Sequence, residues 1–170
     1  MATGDVYINP GTEIEFQSAG GDVVITVTDA VGIGDGKHSA LCTLATNYND
    51  SRPDEYRWTC KALWADPAAV GDRLGLFFAE ADSDGNHDGR VPNTGDADFI
   101  DEARLGDLLY VGNVINGNTT EVQEFSSGVV RITSNKVVLV VWNYSATATM
   151  HATATNFEFK LLPIPRKLEA

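Results

Sequence analysis

Apolar residues recur with a period of two through most of the chain. In 22–30 (DVVITVTDA), Val23, Ile25 and Val27 fall on one face and Val24, Thr26 and Thr28 on the other, which predicts a strand. From Tyr56 to Trp64 the alternation is sharper: Tyr56, Trp58, Cys60, Ala62 and Trp64 point one way, Arg57, Thr59, Lys61 and Leu63 the other. Two further strands are predicted over 73–81 (RLGLFFAEA) and 108–115 (LLYVGNVI). The run 137–144 (VVLVVWNY) is apolar at both parities, as a central strand covered on both faces would be. Over 147–155 (TATMHATAT) β-branched residues alternate with Ala and Met150, predicting another strand. A last strand in NFEFKLLPIP is ended by two prolines, which lack the amide a ladder needs.

Turn signals separate these runs: Asn9-Pro10-Gly11, Gly20-Gly21, Gly34-Asp35-Gly36, Asn116-Gly117-Asn118 and Ser126-Ser127-Gly128. No helical run of a dozen residues lies between strands, so a βαβ fold is excluded. At most a short helix fits near 96–109, with Phe99, Ile100, Ala103 and Leu105 as its apolar side. The expected fold is all-β: a single antiparallel β-sandwich over 1–165, most simply a jelly roll, with 166–170 as a solvated C-terminal tail.

Composition narrows the function. The 170 residues hold 24 acids against 12 Lys and Arg, a formal net charge of −12. That balance argues against nucleic acid and against an anionic membrane, whose phosphates need cations opposite them. No apolar run reaches a transmembrane length and no secretory signal is visible, so synthesis in a cytoplasm is expected. Cys42 and Cys60 lack metal-ligand spacing and read as buried free thiols, although a pairing stays open if their strands are neighbours.

Candidate chemistry is sparse. Between Glu80 and Asp107 the chain is strongly acidic, opposed only by Arg90 and Arg104. Asp84, Asn86 and Asp88 stand at the first, third and fifth positions of a calcium-type loop, with Gly89 at the sixth and Val91 at the eighth. The twelfth position is Gly95, where a bidentate carboxylate belongs, so an EF-hand is out. An isolated calcium loop stays open, with Asp82 and Asp96 as reserve ligands; an ordinary solvated loop explains the same residues and is preferred. The row Tyr56, Trp58 and Trp64 could stack on sugar rings if exposed, but Cys60 and Ala62 share its face, as in a core layer. His38 and His87 fall in Gly/Asp-rich loops and His151 in the Thr/Ala stretch, none within a catalytic motif. Gly32-Ile33-Gly34-Asp35-Gly36 has no helix after it to offer amides to a phosphate. No catalytic residue and no cofactor is expected, and the chain reads as a non-enzyme.

The runs LWADPAAVGDRLGLFFAEADSDGNHDGRVPNTGDADF, LGDLLYVGNVING, KVVLVVWNYSATATM and NFEFKLLPIP together resemble small virion proteins of tailed bacteriophages. In those, a strand precedes an acidic Gly/Asp loop, a Leu-x-x-Val/Ile-Gly strand follows, and an apolar strand ending in Trp/Val-Asn leads to a Pro-containing closing strand. The resemblance spans about Leu63 to Pro165 and implies jelly-roll decoration (cement) proteins or fibre components. It implies homo-oligomers, commonly trimers, that clamp major capsid proteins on the outer surface of the virion, and it fixes no individual functional residue. The alternative is a calcium-stabilised carbohydrate- or receptor-binding module that uses Tyr56, Trp58 and Trp64.

Overall fold

The computed structural model describes residues 6–7, 12–28, 31–44, 53–65, 68–82, 85, 91, 95–118, 123–164 and 167–168. Its strands in chain order are β1 (Val6–Tyr7), β2 (Ile14–Gln17), β3 (Val23–Val24), β4 (Gly36–His38), β5 (Cys42–Thr43), β6 (Glu55–Ala62), β7 (Arg73–Ala81), β8 (Ala97–Phe99), β9 (Leu109–Ile115), β10 (Glu124–Arg131), β11 (Lys136–Asn143), β12 (Glu158–Pro163) and β13 (Lys167–Leu168). One sheet has the order β10-β6-β12-β2-β3; the other has β8-β4-β11-β7-β9, with β5 also paired to β11. Four antiparallel pairings nest inside one another along the chain: β2 with β12, β4 with β11, β6 with β10, and β7 with β9. A long hairpin rolled up in this way is a jelly roll, the expected fold.

Binary patterning explains where the layers meet. Between the sheets lie Tyr56, Trp58 and Cys60 from β6, Phe16 from β2, Phe159 from β12 and Phe78 from β7. Phe159 packs edge-on to Phe16 at 5.6 Å and Phe78 at 5.8 Å, and Trp58 stacks on it at 6.1 Å. The doubly apolar run forms β11, the middle strand of the second sheet. Its Val137, Leu139 and Val141 join this core, while Val138, Val140 and Trp142 belong to a second apolar layer on the sheet's outer face with Phe77, Phe99, Leu105 and Leu108.

Several expectations need correction. The 96–109 segment divides into β8 and a 3-10 helix, Glu102–Asp107; Leu105 of the helix is buried, but Ala103 on it and Ile100 before it are exposed. The Thr/Ala stretch 147–155 is no strand: it holds one isolated bridge, Met150 to Trp64, and a 3-10 turn over Ala154–Asn156. Ser126-Ser127-Gly128 is no turn but the middle of β10. β3 covers only Val23–Val24 and runs parallel to β2, a departure from an otherwise antiparallel sandwich. Within the expected tail, Lys167 and Leu168 pair with Tyr7 and Val6. His38 is wholly buried on β4, not solvated in a loop.

Candidate interaction surface

The two ends of the sandwich are held by polar side chains whose bonding capacity is spent on loops. Asn143, at the end of β11, donates its amide to the carbonyls of Gly32 and Ala148, and its Oδ1 accepts the Ser145 amide and the Trp64 indole N–H. Asp72 accepts the hydroxyls of Ser145 and Thr147, each at 2.7 Å, and the Ala69 amide at 3.0 Å. Burial alone would raise the Asp72 carboxyl, but these donors hold it below its ordinary value. A carboxylate against a serine hydroxyl is part of a nucleophile arrangement, yet Ser145 Oγ accepts the amides of Thr147 and Ala148 and serves a turn. At the opposite end, Glu80 accepts the amides of Thr133 and Ser134 and the Thr133 hydroxyl, closing the turn from β10 to β11. Its carboxyl is likewise held low against the effect of burial.

Of the residues anticipated from sequence, Asp84, Asn86 and Asp88 lie outside the described residues, as does His87. Asp82 is exposed, with its carbonyl accepting the Gly85 amide, and Asp96 lies 4.0 Å from the Lys37 amine. Among the described residues no three His, Cys, Asp or Glu side chains gather as a metal site. The aromatic row cannot offer a sugar platform: Tyr56 is 1% exposed, Trp58 3% and Trp64 2%. These rings belong to the inter-sheet core, so the alternative reading loses its binding residues. His151 is half-buried, its Nδ1 accepting the Thr153 amide. Cys42 and Cys60 are buried free thiols on different sheets; burial pushes the Cys42 thiol up to about 12 and raises Cys60 as well.

The surface the sequence did not announce is the edge where β9 and β10 run alongside each other, one from each sheet. Their approach depends on two glycines. A Cβ on Gly112 would sit 2.4 Å from the Trp58 ring, and one on Gly128 would sit 2.7 Å from its nitrogen. Tyr110 and Ile115 of β9 are 53% and 58% exposed, and Phe125 and Val129 of β10 are 68% and 62% exposed. Phe125 and Val129 pair with Lys61 and Arg57 on the outer face of the first sheet. Tyr110 and Ile115 pair with Phe77 and Arg73 on the outer face of the second, with Tyr110 edge-on to Phe77 at 5.6 Å. Apolar groups therefore flank this edge on both sides. The only sequence signal was alternation in EFSSGVVR, which the Ser-Ser-Gly turn reading masked.

Behind β10, the outer face of the first sheet carries an open hollow of about 140 Å³ lined by Glu13, Arg57, Thr59, Lys160 and Leu162. Lys160 reaches Glu158 at 3.0 Å, Glu13 at 3.4 Å and Glu15 at 3.6 Å, and these partners raise its pKa. Lys61 bonds Glu158 at 2.7 Å.

No protein-family model matches the chain, and no curated protein does either. Sixteen chains of solved structures match it in shape. They include murine APRIL at pH 8.5, at 8% identity and a TM-score of 0.35 over 76% of this chain and 98% of that one. Murine APRIL at pH 5.0 matches at 8% identity and a TM-score of 0.38, over 77% of this chain and 99% of that one. Likeness at this level carries no argument about function.

Proposed function

We propose that the chain is a non-enzymatic structural protein of a bacteriophage virion: a decoration (cement) subunit that forms a homotrimer on the outer capsid surface and bridges neighbouring major capsid proteins. The observation that carries the reading is the β9–β10 edge, two strands with apolar side chains in solvent and a single acid between them, on a chain of net charge −12. Exposed aromatic and aliphatic side chains gathered along one edge are the composition of a contact surface. The virion setting rests on the resemblance over about Leu63 to Pro165. The acidic balance suits the outside of a shell, facing away from packaged nucleic acid. Cementing acts by mass action: a subunit that binds the closed shell and not its separated parts stabilises the shell by its binding free energy. The test is co-sedimentation of the purified chain with capsids lacking their decoration, followed by thermal disruption of the shells. Saturable binding and a raised disruption temperature are expected; absence of binding would sink the reading.

A further inference from the structure

We infer that Asn116-Gly117 is a site of spontaneous covalent modification that the fold holds shut, and that its reaction, once this end of the sandwich opens, keeps the end from closing again. It is the one Asn-Gly pair in the chain. Glycine after asparagine removes the Cβ that hinders attack of the next backbone nitrogen on the side-chain amide. In that reaction the Gly117 nitrogen loses its proton and bonds to Asn116 Cγ. The bond from Cγ to Nδ2 breaks and ammonia leaves, giving a five-membered succinimide. Water then opens the ring at either carbonyl, leaving aspartate or isoaspartate at 116.

The turn at 116–118 opposes each step. Asn116 is 2% exposed, and its Nδ2 donates to the Ala69 carbonyl at 2.8 Å and the Asn118 carbonyl at 2.7 Å, while Oδ1 accepts the Asn118 amide at 3.3 Å. The side chain cannot swing towards the Gly117 nitrogen, nor can its own nitrogen leave, without breaking these bonds. The main chain is fixed as well: the Asn116 N–H donates to the Asp72 carbonyl at 2.7 Å, and the Asn116 carbonyl accepts the Gly71 amide at 2.8 Å. The Gly117 N–H donates to Glu124 Oε1 at 2.9 Å. Removing that proton would set an amide anion beside a carboxylate, which like-charge repulsion opposes.

The product does not fit the place it forms in. An acid at 116 has no amide hydrogens for the carbonyls of Ala69 and Asn118, so acceptor would face acceptor. Isoaspartate also routes the main chain through Cβ, which displaces the 116 amide and carbonyl from Asp72 and Gly71. Those bonds join the end of β9 to the turn before β7. A chain that has opened long enough to react therefore keeps a permanent defect at this end.

The test is incubation of the full chain in mildly alkaline buffer, native and in urea, followed by peptide mapping with mass spectrometry. The unfolded chain is expected to react first at Asn116, and the native chain at least about tenfold more slowly, because it must open to react. Glu124→Ala should speed the native reaction and leave the unfolded one unchanged. Gly117→Ala should suppress the reaction in urea; its Cβ would stand 3.7 Å from the Glu124 carboxylate, an ordinary contact, so the turn accepts it. After dilution from urea, chains modified at 116 should refold to a lowered unfolding midpoint, whereas Gly117→Ala chains carried through the same incubation should recover theirs. Equal native and unfolded rates, first modification at another asparagine, a native Glu124→Ala chain no faster than wild type, or modified chains that regain the wild-type midpoint would each overturn the inference.

Discussion

The two core tryptophans of the aromatic row differ in one atom's fate. The Trp64 indole N–H donates to Asn143 Oδ1 at 3.2 Å, whereas the Trp58 Nε1 is buried with no partner among the described residues. Replacement by Phe removes similar volume at both, but only Trp64→Phe also deletes a buried hydrogen bond. Trp64→Phe is therefore expected to cost about 1 kcal/mol more than Trp58→Phe in urea unfolding. Equal losses would mean that water reaches the Trp58 nitrogen. Tightness around the same ring gives a second expectation. Gly128→Ala forces a methyl to 2.7 Å from the indole nitrogen in mid-strand and should destabilise by about 1–3 kcal/mol. The inward aromatic row was legible in sequence because period-two alternation assigns a face. The need for Gly128 was not: serine and glycine together spell a turn until the partner opposite is known to be Trp58.

At the scale of elements, β6, β7, β11 and β12 were readable because each carries enough apolar residues for its period to show. The stretch 147–155 was not, and hydrogen bonding gives the reason. Ser145 Oγ takes the amides of Thr147 and Ala148, and His151 Nδ1 takes that of Thr153, so local side chains consume donors a ladder would need. Asp72 anchors this loop to the turn before β7, and Glu80 does the equivalent at the other end. Both carboxyls are held below their ordinary values of 3.8 and 4.5. A depressed folded pKa means stability that is full above the unfolded value and is lost as pH falls through the folded one. The fold is thus expected to weaken progressively below about pH 4.5. Asp72→Asn, which keeps the volume but loses the charge, should cost about 1.5–3 kcal/mol at neutral pH and flatten that acid limb. Parallel stability-versus-pH curves for variant and wild type would show that Asp72 is not a source of the acid sensitivity.

For the molecule as a whole, the two thiols provide a reporter that the nested topology makes specific. Cys60 sits in the first sheet and Cys42 pairs through β5 with β11 of the second, yet both lie in the one inter-sheet core. In a jelly roll the first long strand pairs with the last, so neither sheet can separate without breaking pairings from both ends of the chain. The two cysteines should therefore become reactive together. Under a thiol reagent in excess, mass spectrometry is expected to show unmodified chain converting to doubly modified chain, without accumulation of the single adduct, at a rate that follows global unfolding. Burial lifts Cys42 from its ordinary 9.0 to about 12, so above about pH 9 the unfolded chain ionises thiols that the fold keeps protonated. Stability must then decline between these values, and labelling should accelerate by more than thiolate reactivity alone provides. Early single labelling at Cys42 would show that the short β5 segment opens by itself while the rest of the sandwich holds. The acidic stretch from Asp82 onward lies next in the chain after β7, the strand paired to β11. The same labelling rate in calcium and in EDTA is expected if that stretch is ordinary solvated surface. A rate that rises only in EDTA would instead show that the folded chain binds calcium, because an ion bound only by the folded chain slows unfolding-limited modification; its loss on replacing Asp84, Asn86 and Asp88 by Ala would then assign the ion to them.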